Sequence, residues 1–171
     1  AITAIKTCVT SARPLVVLEP AFGGFMTALE DEDLSVRRAA LHMLNSTAHH
    51  QPQLLGGILE STVYPVLFKT MELKMARTVD LGPFKHKVDD ALPLRKAAFS
   101  IMDTLLDTMP SRVNLPLFIN PYLCTGLKDH DDIQVLSHQI LIKACALQPA
   151  AVLSALDTLV EPLDKVSIRW L

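Results

Sequence analysis

An all-α fold, a solenoid of stacked helix pairs carrying one inserted β-hairpin, is predicted by three features of the sequence. A helical segment of one spelling recurs along the chain. Short, proline-marked helices stand between its copies, and a single stretch breaks the helical period. Composition agrees with this class. Half of the 171 residues are apolar but only 5% are aromatic, so Leu, Ala, Val and Met supply the packing, which suits helix on helix better than a β-sandwich.

The recurring segment is clearest in two copies. "DEDLSVRRAALHML" begins at Asp31 and "DDALPLRKAAFSIM" begins at Asp89, 58 residues further on. Each reads Asp, four residues, Val or Leu, Arg, Arg or Lys, Ala-Ala and an apolar residue. The first copy carries one helical stripe of Val36, Ala39, Ala40, Met43 and Leu44, and the second one of Leu94, Ala97, Ala98, Ile101, Met102 and Leu105. Both follow the i, i+3, i+4, i+7, i+8 rule of an amphipathic helix. The Ala-Ala pair predicts close approach of a neighbouring helix. Asp33 suits an N-cap and Pro93 a first helical turn.

A third, weaker copy lies in "LKDHDDIQVLSHQILIKA", where Ile133, Leu136, Ile140, Leu141 and Ala144 form the stripe. Its register has slipped by about one residue, and it lacks the Arg and the Ala pair. Partner helices are predicted at Leu15–Ala28, Thr62–Ala76, Leu115–Leu127 and Ala150–Val160, with Pro14, Pro20, Pro52, Pro65, Pro110, Pro116, Pro121 and Pro149 marking starts, kinks and turns. Bends are expected at Gly23-Gly24 and Gly56-Gly57. The result is an α-solenoid of about three and a half helix pairs.

HEAT and armadillo helix pairs repeat every 40–47 residues or about that. The acidic turns at Asp89 and Asp129, 40 residues apart, fit this period. The spacing from Asp31 to Asp89 exceeds its middle by roughly 15 residues, which requires an insertion. The place for it is the segment without helical periodicity, in which Val79 and Leu81 alternate with polar residues before Gly82-Pro83. After that turn Phe84, His86 and Val88 alternate with Lys85 and Lys87. Period-2 patterning on both sides of a turn predicts a hairpin. Since two strands alone are marginal in water, it needs support from the solenoid or from another protein.

Several function classes are excluded or disfavoured. A net charge of −2 gives no basic footprint for nucleic acid. No apolar window reaches the ~18 residues of a membrane span. Cys8, Cys124 and Cys145 are odd in number and widely spaced, so they are read as buried free thiols and not as a disulfide framework or zinc site. No phosphate loop, GxSxG or HExxH occurs, no cofactor is indicated, and an enzyme is not expected. The Lys128–Asp132 cluster reads as a solvated, helix-capping turn, and His49-His50 as a helix end. Arg37-Arg38 and Arg95-Lys96 either form a basic ridge or, as preferred here, bridge to the acidic turn of the adjacent repeat.

The strings "LEDEDLSVRRAAL", "DLGPFKHKVDDALPLRKAAF", "GLKDHDDIQVLSHQIL" and "AVLSALDTLVEPL" together resemble the C-terminal, TATA-binding-protein-interacting region of the cullin-associated and neddylation-dissociated (CAND) family. The likeness runs from about Leu15 to Leu163. It implies a non-enzymatic HEAT-repeat solenoid that grips the N-terminal helices of an unmodified cullin, in the cytoplasm and nucleus. It also implies that a projecting β-hairpin takes the site of substrate adaptors, so that the protein exchanges receptors on SCF-type ligases. Carried over by motif, the hairpin is about Arg77 to Val88, within an insertion of about 77–92. Its partner-binding residues are Val79, Leu81, Gly82, Pro83, Phe84, Lys85, His86 and Val88.

On this reading residues 1–171 are one segment of a longer solenoid that begins mid-helix and whose remaining repeats are further partners. Residues 166–171 form an atypical tail unlike the family's continuation. A competing reading is a generic scaffold or importin-like solenoid that holds cargo on a concave acidic surface without using the hairpin.

Overall fold

The computed structural model describes residues 7, 9, 10, 24–80 and 85–169, and for His86 and residues 165–169 the backbone alone. The expected helix at Leu15–Ala28 therefore falls largely outside the described residues, as do Cys8 and Gly23.

Three helices of equal length, α1 (Leu34–His50), α3 (Leu92–Thr108) and α6 (Asp131–Leu147), coincide with the three copies of the recurring segment. They lie side by side, α3 packing against both α1 and α6. Their starts follow the local chemistry. Asp33 Oδ1 accepts from Ser35 N at 2.7 Å at the head of α1, Pro93 occupies the first turn of α3, and His130 Nδ1 accepts from Asp132 N at 3.3 Å ahead of α6. The apolar stripes point inward. Ala40, Met43 and Leu44, then Leu94, Ala98, Ile101, Met102 and Leu105, then Ile133, Ile140 and Ala144 are all at most 1% exposed. Only the second residue of each Ala-Ala pair is buried, because 100° of helical rotation turns Ala39 out to solvent and leaves Ala97 half-buried.

A second layer is built from shorter helices. α2 (Tyr64–Glu72) is entered through a π-helical turn at Leu59–Val63. α4 (Leu115–Phe118) runs through a second π turn, Ile119–Leu123, into α5 (Cys124–Gly126). Pro65 and Pro121 lack the N–H that an α-helical ladder needs there, and the wider i→i+5 turn absorbs the gap. The layer is joined by rings: Phe68 stacks on Tyr122 at 4.1 Å between centroids and on Tyr64 at 5.6 Å. Phe118 and Phe99, each at most 1% exposed, meet edge-on between the layers at 6.3 Å. α7 (Pro149–Ser154) and α8 (Leu156–Arg169) close the described chain, with a break at Ala155 where one helix was expected.

The helix expected to run to Ala76 stops at Glu72, with Leu73 at ψ 124°. From there the chain enters β1 (Ala76–Asp80) and returns as β2 (Lys85–Asp89), antiparallel to it. The thiols read as buried are not so: Cys145 is exposed and Cys124 half-buried. Cys145 directly follows the buried Ala144, so one helical step turns it away from the core. No helix among the described residues is long and apolar enough to cross a membrane.

Candidate interaction surface

The two strands form a ribbon whose register pairs Ala76 with Asp89, Arg77 with Val88, Thr78 with Lys87, Val79 with His86 and Asp80 with Lys85. Directly opposed residues share a face. Arg77, Val79 and Val88 therefore line one face, with the His86 backbone at the register position opposite Val79, while Thr78, Asp80, Lys85 and Lys87 line the other. The sequence alternation reappears in this pairing. Leu81, Gly82, Pro83 and Phe84 lie outside the described residues, and so does the side chain of His86.

In its described residues the ribbon gives little surface to the helices. Ala76, Arg77, Thr78, Asp80, Lys85 and Lys87 are exposed and Val79 is half-buried. Val88 remains 38% exposed. Its order has to come from its base. There Asp90 N donates to Met75 O at 3.2 Å, Arg77 pairs with Asp90, and Asp89 Oδ1 accepts from Met75 N at 2.9 Å and Ala91 N at 3.1 Å.

Below the base sits Arg95, 2% exposed. Its Nη1 donates to Asp89 Oδ2 at 2.6 Å and to Leu73 O at 2.8 Å. Nε and Nη2 donate to Asp129 Oδ2 and Oδ1 at 3.1 and 2.9 Å, a bidentate pair. Burial alone would raise the Asp89 carboxyl, but the Met75 amide, Arg95 and the Ala91 amide outweigh it and hold the group below its ordinary value. For Arg95 burial works against the charge, and the hydrogen bonds of Asp129 and Asp89 reverse that, raising its affinity for the proton.

Comparison of the three copies shows where the ribbon is inserted. Arg37, Arg95 and Gln134 are each the fourth residue of their helix. Each donates to a backbone carbonyl in the turn before it: Arg37 Nε to Asp31 O at 2.6 Å, Gln134 Nε2 to Asp129 O at 2.8 Å, and Arg95 Nη1 to Leu73 O. The two ends of this clasp are 6 residues apart in the first copy and 5 in the third, but 22 in the second. The excess of 16 or 17 residues is the ribbon and its ends.

The cluster at Lys128–Asp132 is only in part the solvated turn expected of it. Lys96 does bridge to exposed Asp132 at 2.7 Å, but the Asp129 side chain is 6% exposed and turned onto Arg95. Arg95 is accordingly no part of a basic ridge. Further bridges run from Lys69 of α2 to Glu30, in the turn ahead of α1, and from Lys143 of α6 to Asp103 and Asp107 of α3, each at 2.7 Å. The expected bridge from Arg95-Lys96 to the acidic turn of the next repeat is present, Arg95 on Asp129 and Lys96 on Asp132. What sequence reasoning missed is the anchoring of the ribbon by Asp89 and Leu73. Their one trace is the identical six-residue spacing of Asp31 to Arg37 and Asp89 to Arg95.

A cleft of about 250 Å³ between Glu60, Tyr64, Pro65, Phe68, Asn114 and Leu117 holds one carboxylate and no base beside it. No group of three or more His, Cys, Asp or Glu among the described residues could hold a metal ion.

Two layers of packed helices with an exposed ribbon clasped at its base define a protein that presents a backbone element to its surroundings. Residues 55–168 match the family model described as TATA-binding protein interacting (TIP20). The chain is 44% identical over 168 residues to Cullin-associated NEDD8-dissociated protein 1 of Arabidopsis thaliana, a match covering 96% of this chain and 14% of that protein. It is 40% identical to Cullin-associated NEDD8-dissociated protein 2 of Rattus norvegicus, over 95% of this chain and 13% of the relative. Against the protein named as the C-terminal part of Cullin-associated NEDD8-dissociated protein 1 of Emericella nidulans, identity is 35% over 87% of this chain and 14% of the relative. The chain belongs to the family of cullin-associated NEDD8-dissociated proteins. It spans about a seventh of the length of these relatives.

Proposed function

We propose that this chain is a non-catalytic, cullin-binding module of a CAND-type exchange factor, a HEAT-repeat segment of a longer solenoid acting in the cytoplasm and nucleus. Its ribbon, residues 77–88 above all, engages the N-terminal helices of an unmodified cullin in competition with the substrate adaptor and so regulates assembly of SCF and related ligases. Val79, Leu81, Gly82, Pro83, Phe84, Lys85, His86 and Val88 make the contact.

The observation that carries this reading is the ribbon's exposure. Strands that lend almost none of their surface to the core, yet are hydrogen-bonded, ion-paired and clasped at the base, are built to meet something outside the chain. Membership of the family, and the relatives' names, supply the cullin as the partner.

The test is displacement of a labelled adaptor from an unmodified cullin. Replacing residues 77–88 by Gly-Gly should preserve helicity by circular dichroism and abolish displacement. Phe84→Ala should weaken binding by about 2 kcal/mol or more if the ring is an interface anchor. Undiminished displacement by the Gly-Gly variant would sink the proposal.

A further inference from the structure

We propose that Arg95 is a positioning residue that aims the ribbon and ties its direction to the packing of the next helix pair through Asp129. That such aiming serves cullin binding rests on the function proposed above; the aiming itself does not.

The argument starts from geometry. The described strand residues lend little to the core, so their packing contributes little to the ribbon's direction. Direction is set where the strands leave the helices, at Leu73–Met75 and Asp89–Ala91. Both of these exits converge on one guanidinium: Leu73 through its carbonyl, Met75 and Ala91 through the Asp89 carboxylate. A guanidinium is a rigid planar fork, so fixing one edge fixes the other. The far edge of Arg95 is held by both oxygens of Asp129, 34 residues on and just ahead of α6. Asp129 is itself held, because its Oδ1 accepts from His130 N at 2.6 Å. The ribbon, the end of α2 and the head of α6 therefore share one buried ionic joint. In the first copy Arg37 spends its donors on the Asp31 and Glu30 carbonyls of its own turn. The joint to the next repeat belongs to the repeat that carries the ribbon.

Because Asp129 reaches the ribbon only through Arg95, it separates aiming from mere local bracing. Residual dipolar couplings of backbone amides report the direction of the strands relative to the helices. In the native chain, couplings of residues 76–80 and 85–89 should fit the alignment tensor of α1, α3 and α6. In Asp129→Asn the helix couplings should still fit one tensor while the strand couplings shrink, and exchange protection of the strand amides should fall on the order of tenfold, as expected for losing a charged hydrogen bond.

Arg95→Lys, which keeps the charge but loses the fork, should do the same. If either variant fails to fold, the other carries the test. Strand couplings unchanged in a folded variant would overturn the proposal. If the strands lose their direction while adaptor displacement is unaffected, the positioning role stands and the binding function falls.

Discussion

Arg95 Nη1 reaches the carbonyl oxygen of Leu73 at 2.8 Å, 22 residues back along the chain, and so closes α3 onto the end of α2 past the whole ribbon. The helical frame is complete without the strands. Replacing residues 77–88 by Gly-Gly keeps Leu73, Asp89 and Arg95, and the joined ends already lie opposite each other at Ala76 and Asp89. The variant should retain its far-ultraviolet helix signal and melt within a few degrees of the native chain. A collapse of helicity would mean that the ribbon is part of the frame.

Charge at the joint should matter far more than charge on the surface. Arg95→Met strands the buried Asp129 carboxylate and leaves the partly exposed Asp89 without its cation, and should cost about 3 kcal/mol in urea unfolding. Lys96→Met removes a neighbouring bridge to Asp132 whose two side chains are 43% and 52% exposed. Solvent screens that pair, and its loss should leave the unfolding midpoint unmoved.

Gly126 lies against the third inner helix. A Cβ there would fall 2.3 Å from Ser137 Oγ and 2.6 Å from Phe99 Cζ. Ser137 and Phe99 are both at most 1% exposed and have little room to give way. Gly126→Ala should therefore destabilise the chain by about 1–3 kcal/mol, read as a lowered melting temperature.

Acid should loosen the ribbon before the helices. The Asp89 carboxyl titrates below its ordinary value in the folded chain, mainly because the Met75 amide and Arg95 outweigh its burial. The unfolded chain takes up this proton at the higher pH, so the stabilisation is fully present above the ordinary Asp range near pH ~4 and is lost as pH falls through the lowered folded value. Amide resonances of residues 76–80 and 85–89 should shift and broaden before those of α1, α3 and α6. Asp89→Asn should abolish that early response.

Much of this architecture was legible in the residues. Stripes such as Leu94, Ala98, Met102 and Leu105 recur at helical spacing, and a helix that buries one face has to write that face into its sequence. The insertion was legible as arithmetic, since a repeat that is too long has to put the surplus somewhere.

The joint was legible only in part: the bridge from Arg95 to the next acidic turn was expected, and the clasp on Asp89 and Leu73 was not. Arg37-Arg38 and Arg95-Lys96 look alike in sequence, yet Arg37 bonds the carbonyls of its own turn while Arg95 is buried on two carboxylates. The expected bridge between repeats is thus made by Arg95 and not by Arg37, a difference that no local pattern records. The end of α2 was misplaced for a related reason. Leu73 to Met75 have side chains a helix would accept, and the bonds of Leu73 O and Met75 N to Arg95 and Asp89 draw them out of it.

The most direct test is hydrogen–deuterium exchange of the chain with and without an unmodified cullin. Binding through the ribbon predicts that new protection concentrates in peptides covering residues 76–89. Protection confined to the faces of α1, α3 and α6, with the ribbon exchanging as it does in the free chain, would contradict it.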